Sequence, residues 1–192
     1  MKKLFLIVLF LLCVKATHAQ EIAFQTNLNT SRISIEHIDN IDKHNLYVYG
    51  ELAHNQAWMS YIQLFYEYEC FKKLYTHIEF RNIDEKEMAI QSYIAGATYN
   101  VFGNDYSYIN VSALYRYEKA HMWQTSAVYG VSYKALSFSG YCDVYGVNFV
   151  NIYSENKIKV NLNKAFVGVN IEFSRFDKTF SATPYIMLGF KL

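Results

Sequence analysis

Ala57-Trp-Met-Ser-Tyr-Ile-Gln-Leu-Phe-Tyr-Glu-Tyr-Glu-Cys-Phe71 alternates from one residue to the next. Ser60, Ile62, Leu64, Tyr66, Tyr68 and Cys70 share one face, while Tyr61, Gln63, Phe65, Glu67 and Glu69 share the other. A period of two is the pattern of a strand whose two faces meet different surroundings. The next segment repeats it, with Leu74, Thr76, Ile78 and Phe80 opposing Tyr75, His77, Glu79 and Arg81. Lys72 and Lys73 between them suffice for a tight turn, so the stretch reads as a long β-hairpin.

The same alternation runs to the end of the chain. Ile109, Val111, Ala113, Tyr115 and Tyr117 oppose Asn110, Ser112, Leu114, Arg116 and Glu118. Trp123 to Tyr133, Leu136 to Tyr145, Lys157 to Asn163, Val167 to Ser174 and Tyr185 to Leu192 follow the same rule. Met88 to Phe102 is a long strand whose faces are blurred by Ala95, Gly96 and Ala97. Leu46 to His54 is another strand. Glu21 to Leu28 and Ser31 to Ile38 read as two short strands or one bent one. The connections are short, the longest being Asp39 to Asn45, Ile83 to Glu87, Gly103-Asn104-Asp105 and Arg175 to Lys178. Sequential strands joined by tight turns form an up-and-down antiparallel meander. Because single-chain bacterial barrels have even strand numbers, twelve strands are expected, with ten as the alternative.

Ahead of the strands stands a secretory leader. Met1-Lys2-Lys3 is a charged start, Leu4 to Val14 an apolar core, and Ala16-Thr17-His18-Ala19 a small-residue cleavage site before Gln20. Residues 1–19 are thus expected as a signal peptide and 20–192 as one domain, with no Pro- or Gly-rich linker and Pro184 as the only proline. No later apolar run is long enough for a membrane-spanning helix. The net charge of +1 gives no footing for a nucleic-acid partner. Cys13 is lost with the leader, and Cys70 and Cys142 read as two lone thiols.

Hydrophobic residues make up 52% of the chain, yet mean hydropathy is −0.03. An apolar belt offset by a polar lumen gives that balance in a transmembrane barrel. The apolar face also carries Tyr66, Tyr68, Tyr115, Tyr117, Trp123, Tyr129 and Tyr133, mostly toward strand ends. In a soluble barrel each buried phenol needs a partner, whereas at a lipid interface the hydroxyls lie among headgroups as an aromatic girdle. The membrane barrel is therefore the expected arrangement, in the outer membrane of a Gram-negative cell. A soluble periplasmic ligand-binding barrel is the competing one. The carboxyl-terminal strand, Tyr185 to Leu192, alternates to its last residue, as a strand read by the barrel-assembly machinery does.

Tyr61-Ile-Gln-Leu-Phe-Tyr-Glu-Tyr-Glu69 followed by His77-Ile-Glu-Phe80 resembles the early hairpin of the Tsx-like outer-membrane proteins. Ser92 to Tyr99, Ala113 to Glu118 and Leu136 to Val144 are similar to later parts of that family. The resemblance covers Tyr61 to Leu192. It implies a twelve-stranded barrel with a narrow lumen that passes small polar solutes such as nucleosides. No substrate-contacting residue of the family is carried over.

The polar face holds Glu36, Glu51, Glu67, Glu69, Glu79, Asp143 and Glu172 with Arg32, Arg81, Arg116, Lys134, Lys157 and Lys159. Its best constellation is Glu67, Glu69, His77, Glu79 and Arg81, on two adjacent strands whose directly opposed side chains lie about 5 Å apart. Tyr61, Phe65, Tyr141 and Tyr145 point the same way. Two uses are open for this set together with Arg116 and Asp143: a charge ladder that braces and partly fills the interior, or a solute station in a pore. No nucleophile elbow, phosphate loop, cofactor motif or zinc spacing is present, so no enzyme is expected. The expected role is a passive channel, with a closed structural barrel as the alternative.

Overall fold

The computed structural model describes residues 20–191 except 56, 86–87 and 148. The leader expected at 1–19 and the terminal Leu192 lie outside the described residues. Twelve strands follow one another: β1 Gln20–Thr26, β2 Ser31–Ile41, β3 His44–Asn55, β4 Ala57–Phe71, β5 Leu74–Glu85, β6 Met88–Gly103, β7 Ser107–Glu118, β8 Ala120–Tyr133, β9 Leu136–Gly146, β10 Val150–Leu162, β11 Ala165–Phe176 and β12 Thr179–Lys191. Each pairs antiparallel with its sequence neighbours, and β1 pairs with β12, with Ile22 opposite Phe190 and Phe24 opposite Leu188. Closure leaves no strand edge exposed, as a backbone that spans a membrane requires. The expected all-β, twelve-stranded up-and-down barrel is what the chain forms, and the amino-terminal segment supplies two strands.

The two faces divide as the alternation requires. Ile158, Val169 and Ile186 sit side by side across β10, β11 and β12, 45%, 41% and 62% exposed. The adjoining inward row, Lys157, Asn170 and Tyr185, is polar, and Asn170 is fully buried. An apolar exterior around a polar interior is the inverse of a soluble barrel and the arrangement of a membrane-spanning one. Tyr66, Tyr68, Tyr115, Tyr117, Trp123 and Tyr133 are all exposed on the exterior, as a girdle needs. Tyr129 is half-buried instead, its ring lying across Gly140 on β9 and its hydroxyl donating to Asn156 Oδ1 at 2.5 Å. Placing a charge on this exterior is costly. Val169→Arg, near the middle of β11, should cost about 2–4 kcal/mol, read from the urea midpoint of the protein refolded in lipid vesicles.

Strand pairing outruns the apolar pattern at several ends. Asp39–Asn45, expected as a connection, is mostly ladder, with Asp39 opposite Leu46 and Ile41 opposite His44. Only Asp42 and Lys43 turn, Asp42 at φ 51°. Likewise Arg175 and Phe176 are strand, and Asp177 and Lys178 alone turn, both left-handed at φ 43° and 72°, as a type I′ turn demands. The ladder is made by backbone groups, so it continues where side chains turn polar. Lys134, expected on the polar face, sits instead in the β8–β9 turn at φ 52°, its ammonium over the outer Tyr133 ring.

The longest connection between described strands is 27–30, four residues. None is long enough to fold back into the barrel. Among the described residues, then, whatever fills the lumen comes from strand side chains.

Candidate lumen site

Four inward residues of the β4–β5 hairpin meet as the sequence suggests. Register sets Glu67 opposite His77 and Phe65 opposite Glu79. His77 Nδ1 lies 2.9 Å from Glu67 Oε1, and His77 Nε2 lies 3.1 Å from Glu79 Oε2. A ring held by carboxylates at both nitrogens is satisfied as a double donor, the imidazolium. Gln63 Nε2 and Arg81 Nε both donate to Glu79 Oε1 at 2.5 Å. Opposite His77 stands Gly96, where a Cβ would sit 2.3 Å from the Ala113 carbonyl oxygen, so β6 can approach β7 there only without a side chain.

Glu69 does not join this group. Its Oε1 accepts the backbone N–H of Lys73 at 2.9 Å and closes the β4–β5 turn. It lies on the inward face but at the barrel's end, where the nearest donors belong to the turn.

From Arg81 the network leaves the hairpin. Arg81 Nη1 donates to Asp143 Oδ2 at 2.8 Å, and Ser126 donates to Asp143 Oδ1 at 2.7 Å. Arg81 is on β5 and Asp143 on β9, with three strands between them, so the pair joins wall to wall across the lumen. Arg116 is held by Glu118 and by Ser92 Oγ at 3.2 Å, with its guanidinium 4.5 Å above the Tyr145 ring. The inward aromatics fill rather than line. Phe65 stacks on Tyr47 at 4.7 Å, Tyr61 meets Tyr49 edge-on at 5.8 Å, and Tyr141 lies 5.8 Å from Tyr153.

A second network opposite the first escaped the sequence reading. Arg32 on β2 reaches Glu172 on β11 through both terminal guanidinium nitrogens, touches the Tyr185 hydroxyl, and lies 3.7 Å from Glu51. Tyr49 donates to Glu51 at 2.6 Å. Lys157 Nζ is 3.1 Å from Glu155 Oε1, and Asn170 Nδ2 donates to Glu155 at 2.9 Å and to Gln25 at 2.8 Å. Lys159 reaches Glu21 at 2.5 Å, across the two strands between β10 and β1. Arg32, Lys157 and Glu172 are legible on the polar face, but Glu155 and Tyr49 are not singled out. Carrying the β10 alternation back from Lys157 puts Glu155 inward, which was the available signal.

These contacts leave little open space at mid-height. Glu79 is 4% exposed, Asp143 2%, Gln124 1% and Asn170 0%, although all point toward the lumen. The lumen is a packed polar belt with charges compensated in place, as buried charges must be. Even so, inward carboxylates outnumber fixed cations. Among the described residues, Glu21, Glu36, Glu51, Glu67, Glu69, Glu79, Glu118, Asp143, Glu155 and Glu172 face Arg32, Arg81, Arg116, Lys157, Lys159, Lys191 and the His77 imidazolium.

No family model and no curated protein matches the chain. Among solved structures it matches the KdgM porin, with 7% identity and a TM-score of 0.62 over 91% of this chain and 99% of that one. The NanC porin matches with 5% identity and a TM-score of 0.62 over the same shares. The fold is that of a porin barrel. Porin-type fold and apolar, girdled exterior together make this an outer-membrane barrel. The twelve-stranded barrel implied by the Tsx-like resemblance is present. At such identity the likeness carries fold alone, so the belt has to be read from its own residues.

Proposed function

We propose that this chain, exported by a leader at 1–19, forms a passive outer-membrane channel with a polar constriction, passing small polar solutes by diffusion. The observation that carries this reading is the chemistry of the belt. A barrel meant only to be closed is most cheaply filled with apolar side chains, since a desolvated ion pair rarely stabilises more than a hydrophobic replacement of equal volume. Here the filling is charged and exchangeable, held by side chains on flexible stems. Solutes small enough to part such contacts include nucleosides, whose bases could stack on Phe65, Tyr61 or Tyr141, the use the Tsx-like resemblance implies. Outer-membrane lipid and the barrel-assembly machinery are its expected partners.

One solved KdgM porin structure is in complex with disordered oligogalacturonate, at 7% identity and a TM-score of 0.60. A polymer of carboxylates suits the present lumen poorly, because inward carboxylates are in excess. Passage should instead favour cations.

A second reading, a closed structural barrel, is favoured by the burial of Gln25, Gln124 and Asn170 at mid-lumen. Conductance of the refolded protein in planar bilayers separates the two. Discrete steps are expected, with a cation-selective reversal potential that falls toward zero in Glu67→Gln and Glu79→Gln. A heat-modifiable, folded barrel that never conducts would establish the closed reading. Conducting variants with an unchanged reversal potential would remove these two glutamates from the path.

A further inference from the structure

Four fixed cations of the lumen share one pattern. Arg32 lies 3.8 Å from the Tyr185 ring centroid and pairs with Glu172. Arg116 lies over Tyr145 and pairs with Glu118. Lys159 sits 4.7 Å from the Phe166 ring and pairs with Glu21. Lys157 sits 5.8 Å from the Tyr49 ring and pairs with Glu155. An aromatic face beside a carboxylate is how proteins hold alkylammonium and guanidinium groups. The lumen repeats this arrangement at several heights, each copy filled by a tethered cation.

One copy has capacity to spare. Asn170 is 0% exposed and its amide nitrogen donates to both Gln25 and Glu155, which fixes the orientation of the amide. Its Oδ1 has no hydrogen-bond partner among the described residues. That buried acceptor stands beside Lys157 in register and wants an N–H donor. An alkylammonium brings three such donors, whereas an anion brings only acceptors.

We infer that the lumen binds organic cations, of alkylammonium or guanidinium type, at a station formed by Glu155, the Tyr49 face and Asn170 Oδ1. This names the solute class of the proposed channel and rests on that reading for passage, though not for binding. A mobile cation enters along the excess carboxylates and takes the place of the Lys157 ammonium. The displaced side chain swings aside on its stem, and its return releases the solute. No covalent step is involved.

Lys157→Ala vacates the station by the length of a propylammonium ion. The mature protein carrying it, refolded in lipid vesicles, should unfold several degrees higher in propylammonium chloride than in sodium chloride of equal ionic strength. Wild type should show a smaller shift in the same direction, since the mobile ion must first displace the tethered Lys157 ammonium, and no shift at all in wild type would overturn the inference. Should Lys157→Ala fold poorly, its refolding yield on semi-native gels is the readout, rising with propylammonium alone. Adding Glu155→Gln to Lys157→Ala should abolish the rescue. Equal behaviour in the two salts, or a rescue that survives loss of Glu155, would overturn the inference. In planar bilayers, wild-type current carried by propylammonium in preference to chloride is expected, and chloride preference would overturn it. Rescue with a silent wild type would end the passage reading and leave the station standing.

Discussion

Replacing Arg81 and Asp143 together by serine should raise single-channel conductance severalfold. The two side chains meet at 2.8 Å from strands separated by three others, so their contact lies across the lumen rather than along its wall. Serine removes both long side chains and leaves hydroxyls that water can satisfy. Single substitutions should do less and cost more. Arg81→Ser leaves Asp143, 2% exposed, with Ser126 as its remaining hydrogen-bonding partner. Asp143→Ser leaves Arg81 wholly to Glu79. The double variant changes no net charge but frees Glu79 of Arg81, so a gain in conductance reports on width where the reversal potential is unchanged. Conductance equal to that of wild type would mean that the path runs elsewhere, along the Arg32 network. The measurement is a planar-bilayer recording, with heat-modifiable migration as the control for folding.

The second large effect is on stability. Glu79→Leu should cost about 3 kcal/mol or more, because removing one partner strands the other charges in a buried setting. Glu79 is 4% exposed and serves three donors at once: His77, Gln63 and Arg81. After its loss His77 keeps Glu67 and Arg81 keeps Asp143, which bounds the damage, while the Gln63 amide loses its acceptor. Glu79→Gln preserves shape and one acceptor and should cost less, about 1–3 kcal/mol. The urea midpoint followed by fluorescence of the two tryptophans checks both. Trp58 and Trp123 lie exposed on the exterior and report on loss of the lipid-facing surface. A Leu variant as stable as wild type would mean that water enters the belt freely enough to solvate Arg81 and His77, and the constriction would be wider than its contacts indicate.

Much of this molecule was legible beforehand because a strand's two faces are written at a period of two. That period placed Glu67, His77, Glu79 and Arg81 on one face, but their register was not legible: a one-residue shift between Glu69 and Phe71 sets Glu67 opposite His77, where a regular hairpin on the two-residue turn would have set Tyr68. The same period turned Tyr115, Tyr117 and Trp123 outward. Strand ends were less legible, and Asp39–Asn45 shows why: backbone pairing carries on where side-chain hydrophobicity stops. Glu69 shows the opposite limit, as its parity is inward while its position at the barrel's end gives it to the turn.

By itself the sequence determined the strands, their order and the division into apolar and polar faces, because these follow from neighbours in the chain. The tertiary structure alone decided which charges meet. Arg81 with Asp143, Arg32 with Glu172 and Lys159 with Glu21 are brought together by closure of β1 on β12 and by the curvature of the wall, which place distant strands opposite each other. No local pattern encodes such a distance. The buried, compensated belt is accordingly a product of the closed barrel rather than of any one strand.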